Sequence, residues 1–219
     1  MKAITIEQEG AAPALQDRDE TRAPGAGEVL VRVQASSANQ LDAGIVAGML
    51  TSMLPHEYPV TLGRDFAGVV EQVGEGVSSV GAGDEVFGEV PAMVPPVRDG
   101  AWAERIVVSE QVLAKKPAGV DTAQAGAAPL AALTALAIVD ALELSAGQTV
   151  LVVGATGGVG SIVVQLAKAA GATVIAPPCP RTRSSCAASA SMSCSRAKAT
   201  SLPLCASAIP TGSTPWSTP

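Results

Sequence analysis

Most of this 219-residue sequence contains no cysteine. The four cysteines, Cys179, Cys186, Cys194 and Cys205, all lie in the last 41 positions, and their spacing lacks the short pairs typical of a zinc site. A cysteine-rich zinc lobe is therefore excluded from the first 178 residues. The whole chain also has only one histidine, His56, to which we assign no role.

The sequence also lacks a basic stripe and a long apolar run. Its formal net charge is −6, which excludes an electrostatic nucleic-acid partner. The residues after Met1-Lys2 alternate between apolar and polar and do not resemble a signal peptide. The longest apolar run, about residues 127–139, is shorter than the ~20 residues that a membrane span needs. We therefore expect a cytoplasmic protein without a membrane partner.

Acidic residues are missing from the last third of the chain. All 20 of them lie between Glu7 and Glu143. From Pro177 onward the sequence is rich in serine, alanine, proline, threonine and arginine. This change in composition indicates that two different kinds of sequence are joined near residue 176.

The first 120 residues predict short β-strands separated by glycine-rich turns. Alternation over residues 28–34 places Val29, Val31 and Val33 on one strand face, and further strands are predicted over 66–73, 85–90 and 102–108. Such a series is typical of a small barrel or sandwich. Asp121 with Gln124 predicts a capping box before an apolar helix that starts near Pro129.

The segment from Thr149 to Ala176 predicts a nucleotide-binding unit. It reads as a buried strand over 150–153, a glycine-rich turn, an amphipathic helix closed by Gly171, and a second strand over 173–176. Glycines allow the backbone to approach a pyrophosphate, and the helix N-terminus offers unpaired N–H groups. The alternative is a turn that only packs the helix against the strand. The candidate cofactor-binding residues of the turn are Gly154, Ala155, Thr156, Gly157, Gly158, Val159 and Gly160.

Several of these stretches together resemble the medium-chain dehydrogenase/reductase family. Residues 63–74 (GRDFAGVVEQVG) and 83–88 (GDEVFG) are similar to its GroES-like domain, and residues 129–137 with 155–160 are similar to its zinc-independent quinone oxidoreductase branch. The resemblance implies a mixed β and α/β fold. A GroES-like β-barrel domain is expected over 1–120, and the first part of a Rossmann domain, a doubly wound parallel sheet, over 121–176. Residues 177–219 fall outside the family pattern.

The resemblance also implies candidate site residues. Zinc-dependent relatives carry a cysteine and a histidine where this sequence has Asn39 and Arg64, so no metal is expected. Asn39 and Asp42 become the candidate catalytic residues, and Thr134 a cofactor-binding residue. Each has an alternative: Asn39 as a helix N-cap, Asp42 as an acceptor that orients backbone, and Thr134 as a buried hydroxyl bonded one turn back.

The implied activity is hydride transfer from NADPH to a quinone or an α,β-unsaturated carbonyl compound. The resemblance leaves two alternatives open. One is an enoyl or alkenal reductase of the same family. The other is an inactive remnant that serves at most as a binding or dimerisation module. Members of the family are homo-oligomers, but we expect the residues of that interface to be missing after residue 176.

The composition after residue 176 predicts that the coding DNA is read in a shifted frame there. If residues 177–194 are assigned codons that end mostly in G or C, the same bases can be translated again from one base earlier. That translation restores acidic residues and gives a helix followed by a strand. A native disordered Ser/Pro/Ala tail is the alternative. Sequencing the coding DNA across codons 170–180 tests the hypothesis. We expect a second open frame that continues the family pattern; an intact frame with no shifted alternative would refute it.

Overall fold

The structure, a computed structural model, describes residues 1–91 and 96–177. The hypothesis of a shifted frame concerns residues outside this range. Contacts between residues divide the chain into two units, Met1–Leu130 and Ala131 onward. The boundary near residue 120 that the sequence suggested stays a prediction.

In the described residues of the first unit, eight β-strands form two antiparallel sheets. One sheet has the order β2-β1-β4, and the other has the order β7-β3-β5-β6-β8. The strands are β1 (Lys2–Ile6), β2 (Ala14–Asp17), β3 (Glu28–Ala35), β4 (Val60–Thr61), β5 (Asp65–Val73), β6 (Glu85–Glu89), β7 (Arg105–Ser109) and β8 (Leu113–Lys115). Two short helices accompany them, α1 (Gln40–Val46) and α2 (Thr122–Ala127), with a 3-10 turn at Glu110–Val112.

The larger sheet encloses the main core of this unit. Val29, Val31 and Phe66 have no exposed surface, and they pack with Val70 and Val86 from the neighbouring parts of the sheet. The predicted inward face of β3 is thus confirmed for Val29 and Val31, while Val33 is half-buried. A second core cluster lies between the smaller sheet and α1 and contains Ile6, Ile45, Leu54, Val60, Leu62 and Val97.

One predicted strand begins later than the sequence suggested. The pattern predicts a strand from Trp102, but β7 starts at Arg105. The backbone of Trp102 bonds instead to Ile4 and Leu62, at 2.7 and 2.8 Å, and Ala103 pairs with Ala3. These bonds hold residues 102–103 against the smaller sheet, a connection between distant segments that local alternation does not reveal.

The second unit contains the predicted glycine-loop segment. It comprises α3 (Pro129–Ala141, whose first two residues belong to the first unit), β9 (Thr149–Leu151), α4 (Gly158–Ala169) and β10 (Thr173–Ile175). β9 and β10 pair in parallel, with Val150 opposite Val174. Gly171 follows α4 with a φ of +82°, as expected for a helix C-terminus.

The burial of this unit differs in part from the prediction. Val152 is 7% exposed and packs with Val163, Val164 and Val174, but Val153 is 78% exposed. The strand ends at Leu151, so Val153 belongs to the turn and not to a buried strand. The apolar helix α3 also exposes large side chains, among them Leu133 at 55%.

No helix in residues 1–91 and 96–177 is long and apolar enough to cross a membrane.

The packing of β5 gives a first test. Phe66→Ala removes a fully buried ring and should destabilise the protein by about 3–5 kcal/mol. Val73→Ala, on the same strand but 39% exposed, should cost about 1 kcal/mol or less. Urea unfolding followed by circular dichroism measures both. Equal losses for the two variants would contradict the assignment of this core.

Candidate functional site

The first group of candidate residues lies where β3 ends and α1 begins. Asn39 is the N-cap residue of α1, with extended backbone angles (φ −121°, ψ 162°). Its backbone N–H donates to Asp42 Oδ2 at 2.7 Å, which forms the reciprocal part of a capping box. Asn39 and Asp42, the two candidate residues of the first unit, therefore lie together at the N-terminus of α1.

Asp42 binds backbone groups and is almost fully buried. Its side chain is 3% exposed, and Oδ1 accepts from the backbone N–H of Gly63 at 3.0 Å. Gly63 has a φ of +88°, and a Cβ at this position would lie 2.2 Å from the Trp102 ring. Asp42 thus joins α1 to a tight turn before β5, an arrangement that matches the orienting role considered for it. Its place in a catalytic site stays a prediction.

Asp65, the first residue of β5, is the centre of this group. It has no exposed surface. One oxygen, Oδ2, accepts from Asn39 Nδ2 at 2.9 Å and from the hydroxyl of Ser37. The other, Oδ1, accepts from the backbone N–H of Leu130 at 2.6 Å, at the start of α3. A buried carboxylate is tolerated because donors surround it.

Arg64 is buried beside these carboxylates. Only 1% of its surface is exposed, and its Nη2 donates to the carbonyl of Thr61 at 3.0 Å, while Nε has no hydrogen-bond partner. Burial lowers the pKa of Arg64, and the negative charge of Asp42 opposes that shift. A guanidinium has no lone pair for a metal, so Arg64 adds positive charge and cannot act as a ligand.

Glu89 extends the charged group along the neighbouring strand. It pairs in register with Asp65. Burial and the charge of Asp65 raise the pKa of Glu89, and Arg64 opposes this. Within residues 1–91 and 96–177, no group of three histidine, cysteine, aspartate or glutamate side chains is arranged to hold a metal ion.

Sequence reasoning missed Asp65 and Ser37 as members of the site. In the sequence, Asp65 lies within a stretch that resembles a family motif. The available signal is an acidic residue directly before the apolar residues Phe66 and Ala67, at the start of a predicted strand. The sequence contained no signal for Ser37, because its role depends on Asp65 being brought to it by strand pairing.

The second group of candidate residues forms the turn between β9 and α4. Gly154 has a φ of +81°, and its carbonyl accepts from the backbone N–H of Gly157 at 2.9 Å. A Cβ on Gly160 would lie 2.2 Å from the Gly154 oxygen, so only glycine allows this close approach. α4 begins at Gly158, and residues 153, 154 and 156–158 of the turn are exposed.

This turn fits a pyrophosphate group. The first N–H groups of a helix have no partner within the helix, and they carry partial positive charge. An exposed glycine backbone at that end leaves a phosphate room to approach. Thr134 is exposed on α3, which differs from the buried position considered as its alternative. Its contact with a cofactor stays a prediction.

The chain is similar in sequence to known oxidoreductases. Residues 25–118 match the alcohol dehydrogenase GroES-like domain. The chain is 41% identical over 143 residues to an NADPH-dependent alkenal/one oxidoreductase of Arabidopsis thaliana, covering 64% of this chain and 37% of the relative. It is 39% identical over 159 residues to a chloroplast envelope quinone oxidoreductase homolog of the same plant, covering 70% and 47%. The chain thus spans about half or less of these relatives' lengths.

Solved structures give the same result. The quinone oxidoreductase of Coxiella burnetii superposes with a TM-score of 0.73 at 31% identity, covering 86% of this chain and 59% of that one. An alcohol dehydrogenase superfamily protein of Novosphingobium aromaticivorans superposes with a TM-score of 0.74 at 37% identity, covering 82% and 53%.

The glycine turn gives a second test. Gly160→Ala forces a Cβ against the Gly154 carbonyl and should destabilise the second unit by about 1–3 kcal/mol. Gly158→Ala is the matched control, because its Cβ would make only an ordinary 3.7 Å contact with Ala131. Thermal unfolding measures both. A Gly160→Ala protein as stable as the control would contradict the close approach.

Proposed function

This chain belongs to the medium-chain dehydrogenase/reductase family, and on that premise we propose that it carries the site of an NADPH-dependent reductase. The acceptor is a quinone or an α,β-unsaturated carbonyl compound. The observation that carries the proposal is the glycine turn at the start of α4, where a Cβ on Gly160 would fill the space beside Gly154. NADPH, when bound, supplies the hydride.

The residues of the turn would hold the pyrophosphate. The backbone N–H groups at the start of α4 would donate to phosphate oxygens, with Gly154 and Gly157 leaving the backbone open to them. Thr134 would contribute a hydroxyl to the same cofactor. In the first unit, Asn39 would contact the reacting part of the ligands, and Asp42 would keep Asn39 in place through its backbone N–H.

A zinc-independent mechanism is part of the proposal. Where zinc-dependent relatives carry cysteine and histidine, this chain has Asn39 and Arg64, and neither side chain is a suitable zinc ligand. The amide of Asn39 already bonds to Ser37 and Asp65. A carbonyl acceptor would therefore have to be polarised by hydrogen bonds and not by a metal.

The relatives favour two acceptor classes that differ in chemistry. One is named for alkenals and enones, and the other for quinones. An alkenal or enone reductase is thus the second candidate, and both need the same hydride donor. We further propose a cytoplasmic location and a chain that departs from the family after about residue 176. An inactive remnant is the remaining alternative.

Two measurements test the proposed function. Saturation-transfer NMR of NADPH with the 219-residue chain should give signals from the dinucleotide that disappear in Gly160→Ala and persist in Gly44→Ala, a control in α1 whose Cβ meets open space. NADPH oxidation is then followed with 1,4-benzoquinone and with an enone, using this chain and the chain read in the restored frame. We expect oxidation by the restored-frame chain and weak oxidation by the 219-residue chain.

The outcomes separate the alternatives. Preference for one acceptor decides between the quinone and enone classes. If neither chain binds or oxidises NADPH, the proposed function is wrong, and the remnant is the better description.

A further inference from the structure

The carboxamide of Asn39 has its two N–H groups engaged inside the protein. Nδ2 donates to Ser37 Oγ at 2.9 Å and to Asp65 Oδ2 at 2.9 Å. An amide NH₂ has two donors, so both are used. The Ser37 hydroxyl in turn donates to the same carboxylate oxygen, which closes a triangle of three side chains.

The neighbours determine which way the amide faces. An ionised carboxylate only accepts hydrogen bonds, so the nitrogen of Asn39, and not its oxygen, must lie towards Asp65. Asp65 itself cannot turn away, because it is fully buried and its other oxygen accepts from Leu130 N at 2.6 Å. Breaking any of these bonds would leave a buried charge under-satisfied.

The oxygen of Asn39 is the atom that remains for a ligand. Asn39 is half-buried and forms a capping box with Asp42. An amide oxygen accepts two hydrogen bonds, so even as a helix cap it keeps capacity for one more. The side chain can therefore offer an acceptor and has no free donor.

We propose that Asp65 is a positioning residue that turns the Asn39 carboxamide so that its oxygen faces the ligand. Asn39 then recognises an N–H or O–H group, such as the carboxamide NH₂ of a nicotinamide, and does not donate to the carbonyl oxygen of the hydride acceptor. Only the identity of the ligand rests on the proposed function. The orientation itself rests on the hydrogen bonds of Asp65 and Ser37.

The sequence allows a direct test, because Asn39 is the only asparagine in the chain. Labelling the full chain with ¹⁵N-asparagine yields a single side-chain NH₂ pair in the NMR spectrum. We expect both of its protons to exchange with water about tenfold more slowly, or slower still, than in the urea-unfolded chain. A ¹⁵N-valine sample confirms that the core strands are folded. Exchange as fast as in the unfolded chain, with those valines protected, would overturn the proposal.

Three variants assign the two acceptors. Ser37→Ala removes one acceptor without adding volume and should release one of the two protons. Asp65→Ala should release the other proton, and Asp84→Ala, which removes a carboxylate that binds Gly81 and Lys115, should release neither. If Asp65→Ala does not fold, the double exchange Asn39→Asp with Asp65→Asn rebuilds the pair in reverse. Its single labelled amide should then be protected, and rapid exchange there would count against the network.

A binding measurement tests the direction of recognition. NADP⁺ is compared with its 3-acetylpyridine analogue, in which a methyl replaces the NH₂ donor, by calorimetry on the full chain. We expect the analogue to bind about tenfold more weakly to the wild type, as for one lost hydrogen bond, and Asn39→Ala to remove the difference. An analogue that binds equally well to the wild type would overturn the acceptor role. Failure of both ligands to bind to this chain and to the restored-frame chain would refute the proposed function and leave the exchange result standing.

Discussion

A buried carboxylate must be surrounded by donors, and the arrangement of the first unit depends on how that requirement is met at Asp65. The side chain has no exposed surface and accepts hydrogen bonds from three residues in two segments: Ser37 and Asn39 between β3 and α1, and Leu130 at the start of α3. An unpaired buried charge costs several kcal/mol, so these two segments are held to β5 by the need to satisfy it. The connection between β3 and α1 and the start of α3 meet at Asp65 for this reason.

The same requirement explains the neighbouring charges. Asp42 is buried and is satisfied by two backbone N–H groups, those of Asn39 and Gly63. Arg64 is buried, and its pKa falls through desolvation, while the negative charges of Asp42, Asp99 and Glu89 oppose that fall. In this chain the connection between β3 and α1 and the turn before β5 are held together by hydrogen bonds to two aspartates. This arrangement suits a reductase in which the nicotinamide supplies the chemistry and the protein supplies orientation.

In the second unit, a close backbone contact constrains the structure in place of a buried charge. The turn before α4 requires glycine at position 160, because a Cβ there would clash with the carbonyl oxygen of Gly154. The apolar packing of this unit is less complete: Val152 is buried, but Val153 and Leu133 are exposed. Parallel strands are normally covered on both faces, and the two described strands provide one pair. The matched part of the chain spans 37% and 47% of the lengths of the two plant relatives.

Local pattern was sufficient for much of this protein. Alternation predicted β3, and short strands between glycine-rich turns predicted β5 and β6. The capping box of Asp121 and the glycine turn with α4 were predicted from short-range chemistry. These features depend on neighbours a few residues apart, so the sequence contains their whole cause. Asn39 and Asp42 were identified by their likeness to a family motif. The tertiary structure alone decided that Asp65 and Ser37 orient Asn39, that Trp102 leaves β7, and that Val153 is exposed. Each depends on residues brought together from distant parts of the chain, and a buried charge selects its partners only after folding has removed water from it.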